Sequence, residues 1–291
     1  MISMRRLLGV ILGLVLVAAA AVYIAQDYLI DAASNGSSAE PPEQKDMLPE
    51  EPAAAEPKKP AILERTVGLY TGKGSWDVDL EALRNFLDEY GINYIEIGQG
   101  EISSANLNEL CDILVLVGGF SAQYLHHIEN HANIRSFVEQ GGCFVGFCAG
   151  AYYACSTMRW EGRTYDYPLQ LFGGEGAGPD LPWGYLAKID LNREISFQED
   201  FPEAVEMWYF GGPYFTGYDE SAVDVLARYN ANGKAAVIAF NYGRGSVMLL
   251  GPHPELGYVP AQELVQTGGG DGALWPWLYA ALEWLVSEKA A

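Results

Sequence analysis

Residues 143–154 read CFVGFCAGAYYA, and this stretch decides the fold. Its first part, Cys143–Phe147, is a short apolar run that predicts a strand buried on both faces. Gly146 and Gly150 stand two positions before and after Cys148. A sharp turn from strand to helix needs small residues there, because larger side chains would collide with the neighbouring strands. The stretch therefore predicts a parallel sheet that presents Cys148 at its carboxyl edge, where open α/β folds bind ligands.

Three further apolar runs precede this stretch, and segments of helical periodicity alternate with them. The predicted strands are Thr66–Tyr70, Tyr94–Ile97 and Ile113–Val117, and two predicted helices end near Gly91 and at Gly141–Gly142. The alternation of strand and helix is typical of a parallel sheet with helices on both faces.

The second half of the chain is less regular. Glycine, proline and aromatic residues predict loops at Phe172–Trp183 and Tyr209–Tyr218. Predicted strands are Val223–Tyr229, Ala236–Asn241 and Ser246–Leu250, with a hairpin turn at Gly243–Gly245 and a C-terminal helix from about Leu274.

A histidine and a glutamate follow the last predicted strand. His253 lies between two prolines at the end of this strand, which fixes its direction, and Glu255 follows two residues later. The imidazole is a candidate general base or ion-pair partner for Cys148, and the carboxylate is a candidate to orient it. The predicted catalytic residues are therefore Cys148, His253 and Glu255.

An oxyanion hole is predicted beside Cys148. The backbone N–H of Ala149 begins the following helix and supplies one donor. The neighbouring strand ends at glycines that let the backbone approach a substrate oxygen, and the later loop contains a Gly-Gly pair. The predicted oxyanion and substrate-binding residues are Gly118, Gly119, Phe120, Ala149, Gly211 and Gly212.

The turn Gly146–Gly150, which carries Cys148 and is called the elbow below, resembles the class I glutamine amidotransferase superfamily when taken together with the later His253-Pro254-Glu255. Four longer strings are similar to the biotin-protein ligase N-terminal-like family: Cys148–Tyr153, Phe172–Pro179, Tyr209–Phe215 and Tyr242–Glu255. The resemblance implies a flavodoxin-like three-layer sandwich with a central, mostly parallel sheet and a Cys-His-Glu triad. We recognise neither a biotin ligase catalytic domain nor an ammonia-accepting synthase domain up to Ala291, so we expect neither transfer reaction.

Three functions remain open on these residues. The first is a thiol hydrolase or amidase that cleaves an amide or ester of a small molecule or peptide through an acyl-enzyme. The alternative is a non-catalytic ligand-binding or interaction module of the cell envelope that keeps the fold. A redox or peptidase role is a third option, although Cys155 lies about two helical turns after Cys148, which is poor geometry for a disulfide.

The composition of the chain limits the kinds of partner that we expect it to bind. The chain has 38 Asp and Glu residues against 17 Lys and Arg residues, a formal charge of −21, which disfavours nucleic-acid binding. We expect no cofactor and no metal site, because no Cys/His grouping has zinc spacing. His126, His127 and His131 are interpreted as a solvated face. Cys111, Cys143 and Cys155 are predicted to pack as small core side chains.

The N-terminus predicts export from the cytoplasm. Residues 1–30 hold Arg5 and Arg6 before an uncharged apolar run, Leu7–Ala25, which is long enough to cross a bilayer. A signal peptide cleaved within Ala18–Ala21 is the alternative. Residues 31–61, rich in Pro, Ala and Glu, are predicted to be a disordered linker, and residues 62–291 a single domain. We therefore expect a membrane-anchored or secreted extracytoplasmic domain, with an envelope protein as a further expected partner.

Overall fold

The computed structural model describes residues 59–257 and 272–289 of the chain. The predicted membrane segment and nearly all of the predicted linker lie outside these ranges. Within them, no helix is long and apolar enough to cross a bilayer. The described domain is fixed at its start by the N–H groups of Ala61 and Ile62, which donate to the Glu283 carboxylate at 2.9 and 2.7 Å.

Parallel strands form the centre of the fold, as the sequence predicts. Their spatial order is β2 (Asn93–Ile97), β1 (Thr66–Tyr70), β3 (Ile113–Leu116), β4 (Cys143–Phe147) and β13 (Gly245–Leu250). β3, β4 and β13 are buried along their whole length, which explains why their sequences are almost continuously apolar. The predicted mixed α/β fold with a large central sheet is confirmed.

Helices connect these strands and cover the sheet. They are α1 (Asp77–Glu89), α2 (Gln99–Ser104), α3 (Leu107–Leu110), α4 (Ser121–His127), α5 (His131–Glu139), α6 (Ala149–Ala154) and α7 (Trp275–Trp284). α7 continues as a π-helical turn, Leu285–Lys289, and 3-10 turns cover Ala61–Glu64, Ser196–Gln198 and Pro254–Leu256.

Two hydrophobic cores lie on the two faces of the sheet. Alternate residues of one strand enter different cores, because successive side chains of a strand point to opposite faces. Met248 and Leu250 of β13 pack in the core that contains Trp277 of α7. Val247 and Leu249 pack in the core formed with α5 and α6. This division gives the three layers that the resemblance implies.

The second half of the chain extends the sheet with further strands. They are β5 (Cys155–Trp160), β6 (Arg163–Asp166), β7 (Phe172–Gly178), β8 (Tyr185–Leu191), β9 (Ala204–Tyr209), β10 (Tyr214–Thr216), β11 (Asp224–Tyr229) and β12 (Ala235–Tyr242). All of their pairings are antiparallel except the one between β5 and β7. The predicted hairpin at Gly243–Gly245 is confirmed, since β12 pairs with β13 in antiparallel register.

The predicted loop Tyr209–Tyr218 was wrong at Tyr214–Thr216, which forms β10. The predicted loop Phe172–Trp183 was wrong over its first part, which forms β7. Gly174 and Gly176 belong in this strand because neighbouring groups lie too close for a side chain. A Cβ atom at Gly174 would lie 2.5 Å from the Thr216 carbonyl oxygen, and one at Gly176 would lie 2.8 Å from the Cys155 sulfur. Close packing, rather than turn formation, therefore explains the glycines.

The register of the parallel strands brings the predicted site residues to one edge. Leu250 of β13 pairs with Phe147 of β4, and Leu116 of β3 pairs with Gly146. The three strands therefore end side by side, and the chain leaves them toward Gly118, Cys148 and His253. This is the carboxyl edge at which open α/β sheets bind ligands.

Candidate active site

Cys148 lies on a strained turn between β4 and α6. Its backbone has φ 45° and ψ −98°, which a residue with a Cβ atom rarely adopts. The Cys148 N–H donates to the Leu250 carbonyl oxygen at 2.7 Å, which ties the turn to the end of β13. The residue is 6 % exposed, so its sulfur is reached only through the cavities beside it.

The two flanking glycines have the steric role that the sequence predicts. A Cβ atom at Gly146 would lie 2.8 Å from the carbonyl carbon of Gly150, and one at Gly150 would lie 2.2 Å from the Leu116 carbonyl oxygen. Any side chain at either position would push the turn away from the sheet. The elbow is therefore held by backbone contacts on both sides.

His253 is held at the end of β13 by backbone and side-chain contacts. Its N–H donates to the Trp208 carbonyl oxygen at 2.9 Å, and its side chain is almost fully buried. The Nδ1 atom lies 2.6 Å from Glu255 Oε1. These contacts fix the ring plane, and they leave Nε2 as the ring atom free for chemistry.

A second carboxylate, Asp79, reaches the same imidazole and was missed from the sequence. Its Oδ2 lies 3.2 Å from His253 Nδ1 and accepts a hydrogen bond of 2.8 Å from the Gly118 N–H. Asp79 lies in the first turn of α1 and is fully buried. The available signal was its position on the apolar stripe of α1, between Trp76 and Leu83, where an unpaired acidic residue is out of place.

The two carboxylates change the proton affinity of this cluster. Burial by itself lowers the pKa of His253, but the charges of Asp79 and Glu255 outweigh it and raise that pKa well above its usual value. Burial and the Asp79 charge raise the pKa of Glu255 to about 7, against the opposing effect of His253. Two carboxylates and one imidazolium in a dry site therefore retain protons that water would remove.

The remaining polar atoms of the cluster have no hydrogen-bond partner among the described residues. They are Asp79 Oδ1, Glu255 Oε2 and His253 Nε2. His253 and Cys148 both line one cavity of about 560 Å³. His253 therefore lines the same cavity as Cys148, and its buried Nε2 has no hydrogen-bond partner among the described residues.

Cys148 also lines a second cavity, of about 510 Å³. Its sulfur contacts the Phe210 carbonyl oxygen at 4.0 Å. The two cavities share Gly119, Phe120, Cys148, Trp183 and Phe210. Cys148 thus lies where the two cavities meet.

The predicted oxyanion donors differ in their availability. The N–H groups of Gly118 and Phe120 are engaged, with Asp79 Oδ2 and with the Gly74 carbonyl oxygen at 2.8 Å each. Within the described ranges, the N–H groups of Gly119 and Ala149 have no acceptor, and both residues line the second cavity. Of the predicted donors at the ends of β3 and β4, these two therefore remain free beside Cys148.

The later glycine pair is split between two environments. Gly211 lines the second cavity, and its carbonyl oxygen accepts a hydrogen bond of 3.0 Å from the Tyr152 hydroxyl. Gly212 is packed against the Gly251 backbone, since a Cβ atom there would lie 1.9 Å from that carbonyl oxygen. Gly211 therefore contributes to the cavity wall, whereas Gly212 has a packing role.

The other histidines and cysteines lie outside the cluster. His131 contacts the Tyr153 hydroxyl at 2.6 Å, His127 contacts Gln99 at 3.4 Å, and His126 lines the second cavity. Cys111, Cys143 and Cys155 are free and buried, as predicted.

One group of three or more His, Cys, Asp or Glu residues, among those described, has ligand atoms close enough together to hold a metal ion. It consists of Asp79, His253 and Glu255. In the structure, both carboxylates instead contact His253 Nδ1. Binding a metal ion would require them to give up these contacts.

Comparisons with known proteins identify the family and relatives of this chain. Residues 66–268 match the family model described as "Biotin-protein ligase, N terminal". A protein of Chlamydia muridarum described as "Uncharacterized protein" is 34% identical over 175 residues, which cover 56% of this chain and 67% of that protein. The biotin–protein ligase of Schizosaccharomyces pombe is 30% identical over 159 residues, which cover 49% of this chain. The matched region spans only 25% of that ligase.

Solved structures show the fold. A glutamine amidotransferase from Thermotoga maritima superposes with a TM-score of 0.54 at 14% sequence identity, covering 77% of this chain and 98% of that one. At this identity the likeness establishes a glutamine amidotransferase-like fold and carries no substrate with it.

Proposed function

The chain belongs to the biotin-protein ligase N-terminal family, and from this premise we propose that it is a cysteine-dependent hydrolase or amidase that works through an acyl-enzyme. The observation that carries the proposal is that His253, whose buried Nε2 has no partner among the described residues, lines the same cavity as Cys148. A nucleophile beside an imidazole that a carboxylate orients is the arrangement that acyl transfer requires.

The proposed reaction begins with the Cys148 thiolate paired with the His253 imidazolium. The sulfur attacks the carbonyl carbon of an amide or ester, and the developing oxyanion accepts hydrogen bonds from the Gly119 and Ala149 N–H groups. His253 Nε2 then gives its proton to the leaving nitrogen or oxygen as the bond from carbonyl carbon to leaving group breaks. A thioester to Cys148 and a free amine or alcohol result.

Water completes the cycle. His253 Nε2 accepts a proton from water as its oxygen attacks the thioester, and the carbon–sulfur bond breaks to release a carboxylic acid. Glu255 and Asp79 hold the ring through Nδ1 in both steps and stabilise its positive charge. The shared contact at Nδ1 supports a positioning role for both carboxylates.

Acylation by p-nitrophenyl acetate tests this proposal. We expect a burst of p-nitrophenolate equal to the enzyme concentration and an acetyl group mapped to Cys148 by mass spectrometry. Cys148→Ser and His253→Gln should both lose the burst, while Cys143→Ser, which changes a buried cysteine outside the site, should keep it. No acetylation of Cys148, together with ligand binding that survives Cys148→Ala, would instead support a non-catalytic binding module.

We also propose that the domain is tethered on the outer side of a membrane by residues 1–30. The two arginines before the apolar run Leu7–Ala25 support this orientation. Protease added to intact cells should cleave the folded domain from the membrane without lysis of the cells. A protein that fractionates with the cytoplasm and resists external protease would contradict the tether.

A further inference from the structure

The second cavity, of about 510 Å³, is lined by Cys148 but not by His253. Its wall has few charged side chains for so acidic a protein. None of the described residues lining it is Asp, Glu, Lys or Arg. The chain as a whole carries 38 Asp and Glu residues and 17 Lys and Arg residues. The wall is built instead from aromatic and aliphatic side chains, including Tyr152, Met158, Trp160, Tyr165, Tyr167 and Trp183.

Three hydroxyl groups in this wall are already paired. The Tyr152 hydroxyl donates to the Gly211 carbonyl oxygen at 3.0 Å. The Tyr167 hydroxyl and Ser121 Oγ hydrogen-bond each other at 3.1 Å. The rings and methylene groups, rather than the hydroxyls of these side chains, are therefore what the wall offers to a ligand.

The mouth of this cavity also exposes apolar surface. Four large hydrophobic side chains of the described residues are exposed, and three of them line this cavity: Phe120 (62%), Tyr165 (45%) and Trp183 (68%). Apolar surface concentrated in one place is costly in water and marks a binding site. A ligand that covers these rings would remove that cost.

The position of His253 indicates which cavity holds the leaving group of a substrate and which holds its acyl group. The histidine lines only the cavity that also contains Ser75 and Gln123. In acyl transfer the imidazolium must reach the leaving group, so the leaving group lies in this more polar cavity. The acyl group, which stays bonded to Cys148, then lies in the apolar cavity.

We propose that the acyl group processed at Cys148 is uncharged and predominantly apolar, and that the cavity lined by Met158, Trp160 and Tyr165 holds it. The inference rests on the proposed acyl-transfer function and names its substrate class. A cavity of about 510 Å³ suits a group of several carbon atoms or an aromatic ring. A charged acyl group, such as the amino-acid end of glutamine, would lose its water against a wall that has no Asp, Glu, Lys or Arg side chain and only His126 as a basic group.

The test compares acylation of Cys148 by three p-nitrophenyl esters with the same leaving group: the acetate, the hexanoate and the hemisuccinate. The hexanoyl and succinyl groups have similar length, and only the second is charged at pH 7. Each rate constant is divided by that of N-acetylcysteine with the same ester, which removes intrinsic reactivity. We expect the corrected rate constant for hexanoate to exceed that for hemisuccinate by at least about tenfold.

A positive charge placed on the cavity wall should abolish this preference. In Met158→Lys, we expect the ratio of hexanoate to hemisuccinate to fall by at least about tenfold, because the ammonium pairs with the succinyl carboxylate. Thr164→Lys is the matched control. It adds the same charge one residue before Tyr165 on an exposed strand, outside the cavity lining, and should keep the wild-type ratio. If Met158→Lys does not fold, Leu125→Lys, also in the lining, replaces it.

The outcomes separate this inference from the proposed function. Acetylation of Cys148 with a wild-type ratio near one would overturn the apolar acyl cavity and leave the hydrolase proposal standing. A wild-type preference that a folded Met158→Lys keeps unchanged would overturn the assignment of the acyl group to this cavity. Failure of all three esters to acylate Cys148 would overturn the hydrolase proposal, and this inference with it.

Discussion

Asp79 Oδ2 lies 3.2 Å from His253 Nδ1, on the same ring atom that Glu255 Oε1 contacts at 2.6 Å. The two carboxylates come from different parts of the chain, one from the first turn of α1 and one from the turn after β13. The imidazole is therefore held by a tertiary contact as well as by a local one. The proton affinity of His253 depends on both.

The Asp79 contact predicts the titration of His253. Asp79→Asn removes the negative charge but keeps an oxygen for the Gly118 N–H, so the fold should survive. Because the Asp79 charge raises the pKa of His253, we expect this pKa to fall in the variant. NMR titration of the histidine ring carbons measures it, with His126, His127 and His131 as internal controls. An unchanged midpoint for His253 would show that Asp79 does not act on the ring.

The raised pKa of Glu255 predicts how stability depends on pH. Between about pH 4.5 and pH 7 the folded carboxyl group holds a proton that the unfolded chain releases, so the free energy of unfolding falls as pH rises. His253, whose pKa is also raised, adds stability below about pH 6.5 that is lost as pH rises through its folded pKa.

Urea unfolding of wild type and Glu255→Gln at pH 5 and pH 8 tests this. The glutamine amide does not titrate, so we expect the wild type to lose on the order of 2 kcal/mol more than the variant across this range. Equal losses in the two proteins would mean that Glu255 does not retain its proton in the folded state.

Gly118 is predicted to be essential for the cluster even though its N–H is engaged. A Cβ atom there would lie 2.2 Å from Asp79 Oδ2 and 2.6 Å from His253 Cε1. We expect Gly118→Ala to reduce the free energy of unfolding by about 2 kcal/mol and to displace the imidazole. Gly100→Ala is the matched control, because nothing lies within 4 Å of its Cβ position and it lies in α2. That variant should gain about 1 kcal/mol from the better helix propensity of alanine.

Equal destabilisation by the two glycine substitutions, measured by denaturant unfolding, would contradict the steric account of Gly118.

The parallel part of the fold could be predicted from sequence because its strands are buried on both faces. Cys143–Phe147 agrees in both bounds with β4, and Thr66–Tyr70 agrees with β1. Nearly continuous apolar runs of this length leave few alternatives to a strand. The elbow could be predicted as well, because its two glycines are required by close backbone contacts, with Gly150 for Gly146 and with Leu116 for Gly150.

The antiparallel extension could not be predicted to the same degree. β7 is rich in glycine, and its strand character depends on partners β5 and β10, which are themselves short or half-exposed. Local propensity disfavours glycine in strands, and only the close approach of neighbouring groups explains it here. Tertiary packing therefore overrides the local signal.

The site shows the same division. Glu255 could be predicted because it lies two residues from His253, whereas Asp79 reaches the ring only through the packing of α1 against the sheet edge. The engagement of the Gly118 N–H by Asp79 follows from that missed contact. Predicting the full cluster would have required recognising a buried acidic residue on the apolar face of α1.

The reactivity of Cys148 tests the central claim most directly. Iodoacetamide labelling at pH 6, followed by mapping of the modified residue, should modify Cys148 and leave the buried Cys111, Cys143 and Cys155 unmodified. We expect a rate constant at least about tenfold above that of N-acetylcysteine, and a loss of that advantage in His253→Gln, because the imidazolium stabilises the thiolate. Labelling of Cys148 no faster than the free thiol, and unaffected by His253→Gln, would contradict a cysteine–histidine pair in this fold.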